Sequence, residues 1–246
     1  TDGTLAVLER YKKKMSNLRI VDSSDQKGAA HARNVGALAA NCEAIAFCDA
    51  DDVVGRNWVA EIGEALQKHD FVASRFDIEK LNDPWIRTIH GNRQKKELGI
   101  YQNPPFLRHA GGSGLGVKRA LHEAVGGFDE SMGVLEDTDY CWRIQLLGTD
   151  LHFVPTAVVH VRFREKLGDI YRQAFSWGLG NVFIYKKYRL LGMPEYNWRS
   201  GVRVWKGILK QFPRIRNKAN LVAWIWKFAW RTGRLIGCIK YRVFAP

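Results

Sequence analysis

The run Ile45-Ala46-Phe47-Cys48-Asp49-Ala50-Asp51-Asp52 limits what this chain can fold into more than any other segment. The apolar part is too short for a helix and reads as a buried strand. The carboxylates then fall at its carboxyl end, where open α/β sheets bind ligands. Three crowded like charges repel one another and lose solvation together, and a cation compensates both effects. Oxygen ligands suit hard divalent ions such as Mg²⁺ or Mn²⁺, which often bridge to substrate phosphates. The run therefore predicts an α/β domain with a metal site that holds a diphosphate. The competing reading is a helix cap, because acids after a strand also cap the next helix. The run alone does not separate the two.

Helical and strand patterns alternate along the first two thirds. Helices are expected at 4–15, 28–41, 56–68 and 137–147, and strands at 18–21, 45–49, 71–76, 114–117, 151–154 and 157–161. Such alternation predicts a parallel sheet with crossover helices. Residues 80–112 hold no steady period and carry Asn103-Pro104-Pro105, so they read as a functional loop. A long helix is expected from 167 to 191.

Charge divides the chain. Residues 186–246 hold 15 Lys/Arg against the single acid Glu195, a balance of +14, and residues 1–185 balance at −1. Five of the nine tryptophans (198, 205, 224, 226 and 230) lie in that tail. Leu221, Trp224, Ile225, Phe228, Leu235 and Ile236 fit one helical face with Lys and Arg opposite. This is the composition of a helix lying in a membrane interface, and the plainer alternative is a helix packed on the body. Nucleic acid is not expected as a partner, because the body carries acids where phosphates would have to bind. Cys42, Cys48, Cys141 and Cys238 form no CxxC pair and read as reduced, buried thiols.

Other segments carry chemistry-bearing residues. Gly126-Gly127-Phe128-Asp129 precedes Leu135-Glu136-Asp137-Thr138-Asp139, where Glu136 and Asp137 open a helix. They read either as caps or as a general base beside an acceptor hydroxyl. Gly28-Ala29-Ala30-His31-Ala32-Arg33-Asn34-Val35-Gly36 is a small-residue helix whose Arg33 could pair with phosphate or with a strand-end carboxylate. His160 ends an apolar strand, where a histidine is either structural or a metal ligand.

In this order the segments resemble the inverting nucleotide-sugar glycosyltransferases of family 2. Thr1-Asp2-Gly3-Thr4 resembles the end of that family's DDGSTDGT segment, and the Gly28 to Gly36 stretch its G-x-x-x-ARN-x-G helix. Asp49-Ala50-Asp51-Asp52 resembles its DxD motif, Gly126 to Asp129 its GGFDE turn, and Glu136-Asp137 its ED motif. The resemblance implies a GT-A, Rossmann-like, mostly parallel sheet with flanking helices over 1–165, and a helical basic extension over 166–246. It also places the family's first strand before Thr1, so a truncated start is expected.

The site implied by the resemblance has Asp51, Asp49 and His160 on a Mn²⁺ or Mg²⁺ ion. Asp49, Arg33, Gly28 and Asn34 line the donor. Asp137 is the catalytic base with Glu136 beside it, and Gly112, Glu136 and Asp139 face the acceptor. Residues 84–113 would close over the donor. The implied partners are a nucleotide-diphosphate sugar, a glycan or lipid-linked acceptor, and an anionic membrane surface met by the basic helices from the cytoplasmic side. Two rivals make different predictions. A non-catalytic module docked at the membrane would bind nucleotide-sugar or glycan without turnover. A nucleotidyltransferase would release pyrophosphate.

Overall fold

The computed structural model describes residues 3–90, 94–102 and 104–245, so Thr1 and Asp2 of the opening motif lie outside the described residues. A five-stranded sheet forms the centre, built from β1 (Ala44–Ala46), β2 (Val53–Val54), β3 (Phe71–Asp77), β6 (Leu115–Lys118) and β7 (His152–His160). Their spatial order is β1-β6-β3-β7-β2. A separate hairpin pairs β4 (Gly99–Gln102) with β5 (Pro105–His109).

The sheet is mixed. β1, β3 and β7 share one direction, as the alternation predicts, but β6 is inserted antiparallel between β1 and β3. Among the described residues only β3–β7 is a parallel neighbouring pair, and β2 runs against β7 at the edge. Successive residues of β3 face opposite sides, the period of two that builds a two-faced sheet. Phe71 and Ala73 enter the larger core with Leu115, Val117, Tyr140 and Trp142. Val72 enters the smaller one beneath α3 (Trp58–Lys68), whose buried Trp58, Ile62 and Leu66 repeat at helical spacing.

Several expectations change. Residues 18–21 form no strand. A strand exists through its ladder, and β1 ends the sheet without pairing to that segment. Helix α1 (Thr4–Lys12) is shorter than expected and buries none of its residues. The strands at 151–154 and 157–161 are a single strand, β7, whose register against β3 slips between Val154 and Val158. Pro155 lies in that slip, where a residue without an N–H is tolerated. The expected loop over 80–112 instead holds α4 (Pro84–His90) and the β4–β5 hairpin. All four cysteines are free, as expected, but Cys42 and Cys48 are exposed.

Helix α2 (Ala29–Ala39), the short α5 (Arg119–Ala124) and α6 (Glu136–Leu146) complete the body. The tail comprises α7 (Leu167–Tyr188), α8 (Trp198–Gln211) and α9 (Lys218–Tyr241). Helices α7 and α9 approach closely enough that a Cβ on Gly178 would overlap the Trp230 carbonyl, and one on Gly233 the Phe175 carbonyl. Within α9, Arg234 is fully buried and donates to Asn181 and to the Ala245 carbonyl. None of the helices among the described residues is long and apolar enough to cross a membrane.

Candidate active site

The β1 backbone ladder continues through Phe47, whose N–H donates to the Leu115 carbonyl at 2.8 Å. The chain then turns, with the Asp52 N–H on the Asp49 carbonyl at 3.2 Å. That turn gathers Asp49, Asp51 and Asp52 so that one ligand oxygen from each lies within 4.8 Å of the others. Asp51 is exposed and its two neighbours are half-buried. Burial raises the affinity of Asp52 for protons, opposed by the Arg162 N–H it accepts at 2.9 Å. The residues fit a hard divalent cation, since three carboxylates converge at a strand end and, among the described residues, only Asp49 meets a side-chain cation.

That cation is Arg33. Its guanidinium donates to Asp49 at 2.7 Å and to Glu136 at 2.8 Å, and it lies over the Phe128 ring at 5.3 Å. Of the two partners the sequence offered for Arg33, the structure has the strand-end carboxylate. One planar fork thus ties the aspartate turn to the start of α6. A side chain on Gly112 would collide with this guanidinium and displace it from its present position.

Asp137 lies beside the Arg33–Glu136 pair. Its Oδ2 accepts the Gly112 N–H at 3.1 Å and its Oδ1 the Thr138 N–H at 2.7 Å. Burial raises its proton affinity above the ordinary carboxylate range, opposed by Arg33 and those two N–H groups. Glu136 is raised as well, first by burial and then by the neighbouring Asp137, against the pull of Arg33. The residue before them, Leu135, takes a left-handed conformation at φ 62°. Such a backbone costs a β-carbon residue about 1–2 kcal/mol, and surrounding structure must hold it. Gly180 of α7 leaves the room that Val134 needs next to it.

Other expected site residues are placed differently. Asn34 donates to the Phe128 carbonyl and to Glu130 and accepts the Phe128 N–H at 2.8 Å. Its amide is spent on the glycine turn rather than offered to a donor. Gly28 sits at the N-cap of α2 with φ 147°, a backbone role. Asp139 is fully buried, where it accepts from Arg143 at 2.7 Å, Lys187 at 2.7 Å and the Tyr188 hydroxyl at 2.8 Å. It faces the core, not an acceptor. His160 pairs across the ladder with Val53 but does not join the aspartate cluster. Its Nδ1 is bonded to Asp77 at 2.7 Å, which leaves Nε2 as the ring nitrogen available to a ligand.

Sequence reasoning missed Asp77, Ser113, Glu130 and Lys187. Asp77 is the last residue of β3, a strand-end position like that of Asp49, and that was its only signal. Ser113 accepts the Asp49 N–H at 3.2 Å. Glu130 holds His31 Nδ1 at 2.8 Å while Asp25 holds Nε2 at 3.0 Å. Lys187 bonds Asp129 at 2.8 Å as well as Asp139, linking α7 to the glycine turn. A cavity of about 440 Å³ lies elsewhere, lined by Leu8, Asn17, Arg19, Val21 and Gly36 among others, with none of the site carboxylates.

Residues 1–126 match the family model described as Glycosyl transferase family 2. The chain belongs to glycosyltransferase family 2. It is 30% identical over 174 residues to a pre-mycofactocin glycosyltransferase of Mycobacterium tuberculosis, covering 66% of this chain and 36% of that protein. It is 25% identical to a poly-beta-1,6-N-acetyl-D-glucosamine synthase of Staphylococcus epidermidis, covering 73% of this chain and 45% of the relative. It therefore spans less than half the length of either relative. Among solved structures, the mannosyltransferase PcManGT from Pyrobaculum calidifontis, in complex with GDP-Man and Mn²⁺, superposes with a TM-score of 0.60 at 17% identity. That match covers 96% of this chain and 75% of the other, so the fold correspondence includes the tail helices. GalNAc-T7 with UDP, GalNAc and Mn²⁺ superposes with a TM-score of 0.51 at 18% identity, over 68% of this chain and 36% of that one. These likenesses establish the GT-A architecture of this family 2 chain.

Proposed function

We propose that this family 2 chain transfers a glycosyl group, with inversion, from a nucleotide-diphosphate sugar to a hydroxyl of a glycan or lipid-linked acceptor. The observation that carries the proposal is the Arg33 fork, whose guanidinium bonds Asp49 of a metal-competent aspartate turn and Glu136, next to which stands the half-buried Asp137. In this reading one acidic centre serves the leaving diphosphate and the other the incoming hydroxyl.

Asp49, Asp51 and Asp52 would hold the divalent ion, with His160 oriented by Asp77 as the remaining candidate ligand. A bound Mn²⁺ or Mg²⁺ supplies charge neutralisation for the diphosphate. Asp137 acts as the base. Its two N–H bonds fix the carboxylate in one orientation, and its raised proton affinity brings it closer to the working pH of a general base. The acceptor oxygen forms a bond to the anomeric carbon as the bond from that carbon to the diphosphate oxygen breaks. The hydroxyl proton passes to Asp137, and the nucleoside diphosphate departs. Glu136, anchored by Arg33, lines the acceptor side. Helix α4 and the β4–β5 hairpin fall within the 84–113 segment that would cover the donor and exclude water. We place the reaction at the cytoplasmic face of a cell membrane, a reading supported by the basic, tryptophan-rich tail.

Calorimetry with UDP-, GDP- and dTDP-sugars, with and without Mn²⁺, tests the donor half. One donor should bind in a Mn²⁺-dependent manner, and Asp51→Asn should weaken it at least about ten-fold, as loss of a charged ligand does. Absence of binding to every nucleotide-sugar would overturn the proposal. Release of pyrophosphate from a nucleoside triphosphate and a sugar phosphate would favour a nucleotidyltransferase instead.

A further inference from the structure

The apolar face that the sequence nominated in the tail lies on α9, and the structure turns part of it inward. The Trp224 indole N–H donates to the Ile208 carbonyl at 2.9 Å, and its ring stacks on Phe228 at 5.1 Å. Phe228 in turn meets the edge of Trp205 at 5.9 Å. These contacts anchor the inner side of α8, where Gly201 and Ile208 are buried. The outer side of α8 is built differently. Trp198, Val202 and Leu209 recur at helical spacing along one stripe and are 51%, 43% and 68% exposed, and Phe212 just beyond the helix is 58% exposed. Each of the first three is followed in sequence by a residue of a second row or lies beside it: Arg199, Arg203, Lys206 and Lys210, all exposed. That row runs alongside the apolar stripe about 100° further round the helix. Among the described residues none of these four cations pairs with a carboxylate, and the Arg199 guanidinium lies 5.8 Å from the centre of the Trp198 ring.

We propose that this face of α8 is the surface by which the protein docks on an anionic lipid bilayer. Tryptophan and leucine enter the boundary between headgroups and acyl chains while the adjacent cations meet lipid phosphates. Charge complementarity names the occupant. Residues 186–246 carry 15 cations and one acid, so an acidic sheet of indefinite extent matches what a protein groove of mixed charge would not. The inference deepens the cytoplasmic membrane placement proposed above and rests on it for its setting, but not on the transfer chemistry.

Vesicle flotation of the full chain tests it, using phosphatidylcholine vesicles with and without phosphatidylglycerol at two salt concentrations, and no donor or acceptor present. Binding should require phosphatidylglycerol and weaken with salt. Lys206→Gln with Lys210→Gln should reduce vesicle affinity roughly five-fold per cation removed. Leu209→Glu, on the most exposed position of the stripe, should reduce it at least as much. Unchanged circular dichroism and unchanged donor calorimetry would show that both variants remain folded. Equal binding to neutral vesicles, no vesicle binding, retention by both variants, or salt-sensitive capture by an oligonucleotide in place of vesicles would each overturn the proposal. Because flotation and donor calorimetry are read separately, failure of one leaves the other standing.

Discussion

Asp139 provides the sharpest contrast between a ligand-binding role and a structural one, and Asp139→Asn separates them. The carboxylate is fully buried and receives three donors: Arg143 Nε at 2.7 Å, Lys187 Nζ at 2.7 Å and the Tyr188 hydroxyl at 2.8 Å. An amide is nearly isosteric but neutral, and its NH₂ would turn a donor towards donors. Breaking a buried ion pair from one side costs about 3–5 kcal/mol, because the remaining charge stays desolvated. Two features lower that figure here. Lys187 keeps Asp129, and Arg143 keeps the Val125 and Gly127 carbonyls. We therefore expect about 3 kcal/mol of destabilisation, towards the lower end for a broken buried pair. For a chain of this size that corresponds to a drop of roughly 6–12 °C in Tm, measured by circular dichroism at neutral pH. The apparent acceptor KM of the fraction that remains folded should be unchanged. A Tm within about one degree of wild type, together with a raised acceptor KM, would refute the structural assignment, since uncharged loss at an exposed site costs only a few tenths of a kcal/mol.

Four further outcomes follow from the same geometry. Asp137→Asn should abolish transfer while donor binding persists. In the wild type, the acid limb of kcat/KM should lie above the ordinary aspartate value of 3.8, because burial raises the Asp137 proton affinity and only the deprotonated form accepts a proton; an acid limb at or below that value would contradict the assignment. Asp77→Ala removes the acceptor that fixes His160 Nδ1 and should weaken Mn²⁺ affinity about 10- to 100-fold by calorimetry without donor, whereas an unchanged affinity would exclude His160 from the ligand set. Lys187→Met releases Asp129, whose carboxyl is held down to about 2, against burial, by Lys187 and Ser131. The folded value is lowered, so its stabilisation is complete above 3.8 and disappears as pH falls towards 2. The Asp129 share should be below about 2 kcal/mol at neutral pH, since the Ser131 bonds remain, and denaturation curves of variant and wild type should converge in acid.

The sequence by itself determined the elements whose signal is local. The Ile45 to Asp52 run announced a buried strand over 45–49 feeding carboxylates; the structure has the cluster, but the strand is the shorter edge strand Ala44–Ala46, with Ala44 and Ala46 exposed. The spacing of Trp58, Ile62 and Leu66 announced α3, and the small residues after Gly28 announced α2. Periodicity and turn chemistry depend on residues a few positions apart, so they survive in one dimension.

Only the tertiary structure decided what depends on distant partners. Leu18 to Val21 is apolar enough for a strand, but pairing is a property of two segments, and no ladder reaches it among the described residues. The antiparallel insertion of β6 between β1 and β3 leaves no mark in local pattern, since strand direction is set by how the chain returns. Asn34 and Asp139 carry the same functional groups as true ligands, and burial against the glycine turn and α7 is what commits them to structure. In the tail, composition made both α8 and α9 candidates for an outer face. Glycine-to-backbone contact along α7 and aromatic contact with α8 occupied part of α9, which still exposes Leu221, Leu235, Ile236 and Ile239, while α8 carries an outward stripe of its own. Burial is a sum over neighbours far apart in the chain, and no single stretch of sequence contains that sum.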